Sequence, residues 1–151
     1  MRIERAGHRD IRGLARVKWI DRSEDQADAD AFETFLGEFS SWWVAHRDTL
    51  AAFVARSEDG EVVGAAWVAL LPRVPSPGSV SRLSADIQSV FVMPEHRGAG
   101  LGTALVAAAS TYAEDAGALR ITVHSSERAV SLYRGLGYDG SVRLLQRVSK
   151  A

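Results

Sequence analysis

The sequence predicts an α/β protein in which a central mixed sheet carries helices on both faces. In the second half of the chain, strand-like and helix-like segments alternate, and strands joined by a helix of this length are expected to lie parallel. The first half has two helix-like segments followed by two apolar runs that resemble a hairpin. The length of 151 residues suits one domain over residues 1–151 with a substantial core.

The composition excludes several classes of function. Apolar residues make up 46% of the chain and charged residues 25%, which is typical of a folded globular protein. The formal net charge of −1 gives no basic field that would attract nucleic acid or an anionic membrane, so neither partner is expected. Disulfides and thiol catalysis are excluded because cysteine is absent. No signal-peptide core and no bilayer-length apolar run is present, so a cytoplasmic location is expected.

The first half is predicted to form an edge strand, two helices and a hairpin. Residues 1–6 suit the strand, and apolar positions at helical spacing predict a helix from Asp10. A second helix is predicted after an acidic stretch, from an apolar stripe. The stripe consists of Phe32, Phe35, Leu36, Phe39 and Trp43. Two apolar runs around Asp59 and Gly60 predict the hairpin, and the proline-rich residues 72–84 predict a loop.

The second half is predicted to alternate strands and helices. Residues 85–93 suit a strand, and strict alternation places Asp86 on the same face as Val90 and Val92. A helix over residues 101–116 is predicted to end at Gly117 and to be followed by a strand over residues 118–124. A shorter helix is predicted to end at Gly137. Residues 138–150 are then expected to return as one or two further strands.

Three glycines alternate in the segment "PEHRGAGLGTAL", residues 94–105, where the strand gives way to the helix. The first amides of a helix have no intrahelical partner and, together with the helix dipole, they bind anions such as phosphate. Glycines remove the side chains that would hold a phosphate away from these amides. Arg97 adds a guanidinium suited to phosphate oxygens. The cradle predicted for a pyrophosphate consists of Arg97, Gly98, Ala99, Gly100, Leu101, Gly102 and Thr103.

A plainer explanation of these glycines is a turn that needs positive φ, with close packing of the helix on the strand. Spacing excludes two nucleotide motifs. The fingerprint G-x-G-x-x-G fails because Thr103 and Leu105 stand where its last glycine is needed. The P-loop fails because no glycine is followed by Lys and then Ser or Thr.

The segment and its preceding strand resemble the Gcn5-related N-acetyltransferase (GNAT) family. The acetyl-CoA signature of that family is Gln/Arg-x-x-Gly-x-Gly/Ala after a strand that ends in Val-x-Pro. Arg97, Gly100 and Gly102 match the signature, and Val92-Met93-Pro94 matches the end of the strand.

A second family pattern, Asn-x-x-Ala-x-x-Leu/Phe-Tyr followed by Leu-Gly-Phe, is approached by "SERAVSLYRGLGY". In this chain Ser126 replaces the usual Asn, and Tyr138 replaces Phe. The resemblance covers residues 86–138.

The resemblance implies a GNAT fold in which the two parallel strands splay apart around coenzyme A. It implies that the pyrophosphate of acetyl-CoA lies on the cradle and that pantetheine pairs with the backbone of Val90, Phe91 and Val92. Ser126 would keep part of the contact that Asn makes to pantetheine. The implied function is an acetyl-CoA-dependent N-acetyltransferase acting on a primary amine, with a small molecule favoured over a protein amine. The alternative is a non-catalytic acyl-CoA-binding regulatory module.

Transfer to an amine needs an acid for the departing thiolate and a base for the amine. Tyr133 matches the acid of the family, although its apolar helix face also suits a core residue. Asp86 aligns with the position of a base in some members, with His124 or a water as alternatives. The histidines lack ligand spacing with carboxylates, so no metal is predicted. The acceptor, the acyl chain length and the oligomeric state stay open, and a homodimer is compatible with the resemblance.

Overall fold

A five-stranded mixed sheet forms the centre of the protein. The structure is a computed structural model that describes residues 1–150. The strands lie side by side in chain order and are β1 (Arg2–Arg5), β2 (Leu50–Arg56), β3 (Val62–Arg73), β4 (Arg82–Val92) and β5 (Ala118–Val123). Neighbouring strands are antiparallel except for β4 and β5, which are parallel. The mixed α/β sheet predicted from the sequence is therefore confirmed.

Helices cover both faces of this sheet. They are α1 (Ile11–Arg22), α2 (Ala29–His46), α3 (Leu101–Asp115) and α4 (Val130–Gly135). Trp67 of β3 packs its ring against Phe39 and Trp43 of α2. Gly64 lies on the opposite face, where an added Cβ would approach Leu105 of α3 to 3.3 Å. None of the described helices is long and apolar enough to cross a membrane.

The ends of the helices follow the local sequence. Asp28 caps α2, because its Oδ1 accepts a hydrogen bond of 2.9 Å from the amide of Ala31. Gly117 and Gly137 have φ of 92° and 90°, the left-handed conformation that ends a helix. Both predicted glycine ends are therefore confirmed.

A buried arginine ties the start of the chain to the sheet. Arg56 of β2 is only 6% exposed and contacts the carboxylates of Glu4 and Asp10. Its Nη2 donates to Oδ1 of Asp10 at 2.6 Å, and the amide of Gly7 donates to the other oxygen of that carboxylate at 2.9 Å. This network fixes the turn that leads from β1 into α1.

Two expectations about the ends of elements are corrected. β3 extends to Arg73 and β4 begins at Arg82, so both strands run into the segment predicted as a loop. The prediction of one or two strands after Tyr138 is wrong, since residues 139–150 contain neither helix nor strand. Several apolar side chains of that segment are exposed, among them Val142 and Leu145.

β4 contains a bulge, beyond which its side chains alternate in the opposite sense relative to the two faces of the sheet. Gln88 pairs with Trp67 and Phe91 pairs with Ala65, so Ser89 and Val90 lie opposite one residue of β3. Among the described residues, Ser89 is the one non-glycine with positive φ, at 54°. A bulge of this kind reverses the alternation of side chains beyond it.

Candidate active site

A cleft with a volume of about 620 Å³ opens where β4 and β5 part. The last residue pair between these strands joins Ile87 to Val123, and both residues line the cleft. β4 then continues to Val92 beside the cleft, which leaves backbone groups on that side available to a ligand. Asp21 and Arg22, at the end of α1, also line the cleft.

The glycine segment forms one end of the cleft. Gly98 and Gly100 have φ of 83° and 79°, so the chain turns here in a conformation that other residues adopt only with strain. An added Cβ at either glycine would meet no protein atom within 4 Å, because both positions face open space. Both interpretations of the glycines therefore apply to these two residues: they form a left-handed turn, and they leave the backbone open to a ligand.

The amides at the start of α3 are unpaired within the helix. Its first turn begins with a hydrogen bond of 3.0 Å from the amide of Ala104 to the carbonyl of Gly100. The amides of Leu101, Gly102 and Thr103 precede this bond, and all three residues line the cleft. The donors and the helix dipole together suit a phosphate group.

Gly102 has a different role from the first two glycines. It lies in the first turn of α3 with helical backbone, where an added Cβ would lie 3.4 Å from the side chain of Leu132. An alanine would therefore fit here in ordinary van der Waals contact with α4. The alternation in the sequence combines two left-handed positions with one helical position.

Arg97 is anchored to the strand that precedes it. Its Nε donates to the carbonyl of Val92 at 2.9 Å, and its guanidinium lies over the ring of Phe91 at 5.0 Å from the centroid. Its backbone amide donates to the carbonyl of Pro94 at 3.3 Å. The side chain lines the cleft, but the amide is already paired, so the row of free amides starts after Arg97.

Tyr133 is buried and still lines the cleft from α4. Its ring packs edge-on against Tyr138 at a centroid distance of 5.6 Å, and the hydroxyl of Tyr138 bonds to Ser110 Oγ at 2.6 Å. Burial raises the pKa of the Tyr133 phenol above its ordinary value, with a smaller contribution from Tyr138. The phenol therefore stays protonated at neutral pH, as a proton donor must.

Asp86 lies outside the lining of the cleft. Its Oδ1 accepts a hydrogen bond of 2.9 Å from Thr122 Oγ1, and its Oδ2 accepts one of 3.2 Å from Gln88 Nε2. Asp86 pairs with Ala69, whereas Val92 pairs with Gly64, and alternation along β3 puts these partners on opposite faces. The expectation that Asp86 and Val92 share a face is wrong, because the bulge lies between them.

The cleft gathers most of the candidate residues named from the sequence. Of the predicted donor-site residues, the lining contains Val90, Phe91, Val92, Arg97, Gly98, Gly100, Leu101, Gly102, Thr103 and Ser126. Ala99 lies outside it and is exposed. His124, the second candidate base, also lines the cleft.

Other polar residues of the cleft come from outside the predicted donor site. Asp21 and Arg22 begin the acidic stretch that follows the first predicted helix, and their place in the wall depends on how α1 packs on the sheet. Arg128 also lines the cleft, and its place in the second motif, two residues after Ser126, could have indicated this. The described residues contain no group of three or more histidine, aspartate or glutamate side chains that could hold a metal.

The sequence matches the acetyltransferase (GNAT) family over residues 10–138. N-acetyltransferase family 8 member 2 from Rattus norvegicus is 32% identical over 129 residues, which is 83% of this chain and 50% of that protein. Glucosamine 6-phosphate N-acetyltransferase from Trypanosoma brucei brucei is 31% identical over 87 residues, 58% of this chain and 57% of that protein. The chain thus spans about half the length of these curated relatives.

A solved structure shares the fold over nearly the whole chain. A predicted acetyltransferase from Clostridium acetobutylicum, crystallised with acetyl-CoA, superposes with a TM-score of 0.71 at 15% identity. The alignment covers 97% of this chain and 95% of that one. At this identity the likeness supports the fold alone.

Proposed function

Because this chain belongs to the acetyltransferase (GNAT) family, we propose that it is an acetyl-CoA-dependent N-acetyltransferase acting on a primary amine of a small molecule. The observation that carries the proposal is the cleft between the diverging strands β4 and β5, which has unpaired helix amides at one end and a buried tyrosine in its wall. A single catalytic domain over residues 1–151 is part of this proposal.

The donor site is assigned to the glycine end of the cleft. The residues fit a pyrophosphate because the first-turn amides of α3 are free and the space over Gly98 and Gly100 is open. Arg97 would contribute charge, with its guanidinium held in place by the carbonyl of Val92. The unpaired side of β4, from Val90 to Val92, would hold the pantetheine arm by backbone hydrogen bonds.

When bound, acetyl-CoA supplies a thioester whose carbonyl carbon is open to an amine and whose thiolate is the leaving group. Tyr133 would donate its phenolic proton to the sulfur, since its hydroxyl is kept protonated by burial. A backbone amide of β4 would donate a hydrogen bond to the thioester oxygen. These groups account for departure of the thiol without any metal ion.

Removal of a proton from the amine has two candidate side chains. His124 lines the cleft directly, whereas Asp86 is held by Thr122 and Gln88 outside its lining. Asp86 shares its sheet face with Trp67, the side covered by α1 and α2. An acceptor that enters between these helices and β4 would reach Asp86, so the carboxylate is kept as the base, directly or through a water.

A small amine is favoured because the curated relative from Trypanosoma is named for glucosamine 6-phosphate, a small-molecule amine. The acceptor side of the cleft is bordered by Asp21 and Arg22, so it offers charges of both signs. A homodimer and a cytoplasmic location stay predictions from the sequence.

The test combines CoA binding with a panel of primary amines. CoA titrated into the protein is expected to raise its melting temperature. The panel includes glucosamine 6-phosphate, spermidine and a peptide with a free amino group. With acetyl-CoA, at least one of these amines is expected to release the free thiol of CoA. CoA binding without thiol release from any amine would favour the regulatory module instead. Absence of CoA binding would contradict both.

A further inference from the structure

Ser89 is a strained residue in the wall of the cleft. Its φ of 54° is a conformation that side chains disfavour, and the remaining positive φ values in the described chain belong to glycines. It lies in the bulge of β4, and both Ser89 and Val90 line the cleft. A bulge frees backbone groups from the sheet, so its conformation decides where those groups point. Something must hold a serine in this conformation.

Lys18 of α1 contacts the hydroxyl of this serine. Its Nζ donates to Ser89 Oγ at 2.8 Å, between residues 71 positions apart in the chain. The Lys18 side chain is only 33% exposed, and Nζ lies 3.7 Å from the Asp21 carboxylate. Burial lowers the pKa of Lys18, while Asp21 acts in the opposite direction. The charge of Lys18 is therefore partly removed from water at a place where it orients one hydroxyl.

We propose that Lys18 is a positioning residue for acetyl transfer, which acts by holding Ser89 and thereby fixing the backbone of the bulge beside the thioester. The inference rests on the proposed function, since the bulge is relevant to transfer only if the cleft binds acetyl-CoA. Lys18 itself does not line the cleft, so it acts through Ser89 and not by contact with either substrate. In the proposed donor site the phosphates would lie at the other end of the cleft, on the amides of α3.

Lys18→Met is expected to lower kcat by about tenfold to a hundredfold, because small displacements of positioned groups reduce rates on this scale. KM for acetyl-CoA and the Kd of CoA are expected to change by a much smaller factor than kcat, because most of the groups proposed to hold coenzyme A lie in the glycine segment and at the start of α3, not in the bulge. Ser89→Ala, which removes the accepting oxygen, is expected to lower kcat by a similar factor. Arg16→Met removes an exposed cation from the same helix and is expected to leave kcat unchanged.

The decisive comparison places Lys18→Met in a Ser89→Gly background. Glycine adopts the left-handed conformation without strain, so the contact from Lys18 is no longer needed there. Lys18→Met is therefore expected to change kcat by less than twofold when Ser89 is glycine. If the same tenfold or larger loss appears in that background, Lys18 acts by its charge or by general stability, and the proposal is overturned. A merely structural role would also lower the CoA affinity and the melting temperature of Lys18→Met together with kcat.

A readout without substrate separates this inference from the proposed function. In NMR spectra of the ligand-free protein, the amide signals of Ser89 and Val90 are expected to be single and sharp. In Lys18→Met they are expected to broaden or split, because the bulge samples a second conformation. Unchanged signals would contradict the role of Lys18 even in an active enzyme. Failure of every amine in the panel would contradict the proposed function and leave this result intact.

Discussion

Gly100→Ala provides the sharpest test of the proposed donor site, with Gly117→Ala as its matched control. The two glycines stand at opposite ends of α3 and have similar φ, 79° and 92°. At both positions an added Cβ would meet no protein atom within 4 Å. The two substitutions therefore impose the same backbone strain and no clash, and they differ in that only Gly100 borders the cleft.

The shared effect is on stability. A non-glycine residue in the left-handed conformation costs about 1–2 kcal/mol. For a protein of this size, each kcal/mol lowers the melting temperature by about 2–4 °C, so both variants are expected to melt about 2–8 °C below the wild type. Differential scanning calorimetry of the ligand-free proteins measures this shift.

The effect that differs is on CoA affinity. A phosphate oxygen that accepts from an amide lies about 2.9 Å from the nitrogen, whereas a methyl carbon needs about 3.5–4.0 Å. The methyl group of Gly100→Ala would thus separate the phosphates from the amides. Its CoA affinity is expected to fall at least tenfold, which corresponds to about 1.4 kcal/mol, while Gly117→Ala stays within twofold.

Isothermal titration calorimetry with CoA measures the difference, and pantetheine, which lacks the pyrophosphate, serves as a second ligand. Binding of pantetheine is expected to respond equally little to the two substitutions. Equal CoA affinities of the two alanine variants would refute the argument, because they would show that the open space over Gly100 is not the phosphate site.

The remaining predictions concern the acid, the base and the buried arginine. Tyr133→Phe is expected to lower kcat at least a hundredfold with CoA affinity unchanged; equal kcat would remove Tyr133 from the mechanism. Asp86→Asn is expected to abolish the fall of kcat at acidic pH. If that fall persists in Asp86→Asn and disappears in His124→Gln, His124 is the base and Asp86 is not. Arg56→Met leaves the buried Asp10 carboxylate without a positively charged partner and is expected to lower the free energy of unfolding by about 3–5 kcal/mol, measured by urea titration.

Tyr133 and Glu4 are expected to produce pH effects in opposite directions, Tyr133 on kcat and Glu4 on stability. The pKa of Tyr133 is raised by burial, so its protonated form persists above the ordinary value of about 10, and kcat is lost only as pH rises through the raised value. The pKa of Glu4 is lowered, chiefly by its hydrogen bond to Arg56. Its contribution to stability is present above the ordinary pKa of a glutamate and is lost as pH falls through the lowered value.

The glycine end of the cleft could be predicted from the sequence because consecutive residues form it. The proposed cradle requires only that this segment folds as a strand, a glycine turn and a helix, and each of these has a local signal. The boundaries of α3 and the left-handed glycines follow from the same signals. The position of Tyr133 could be predicted for a similar reason, because Tyr133 lies on the short helix α4 within the second motif.

Two features could not be predicted because they depend on more than local sequence. The bulge adds one residue to β4 and thereby moves Asp86 and Val92 to opposite faces, although "ADIQSVFVM" shows plain alternation. The residues after Tyr138 have strand-like composition, but a strand needs a partner as well as propensity, and none of the described strands pairs with them.

The difference between contacts within one segment and contacts between distant segments also explains why the donor is easier to infer than the acceptor. Coenzyme A would be held by backbone donors that one segment provides, so few side chains elsewhere are constrained. The acceptor would be held by side chains of α1 and β4, which meet only after folding, as Lys18 and Ser89 do across 71 positions. Such contacts can be exchanged one at a time while the cradle stays intact. An acceptor assignment must therefore come from side chains that line the cleft near the bulge, such as Asp21 and Arg22 of α1.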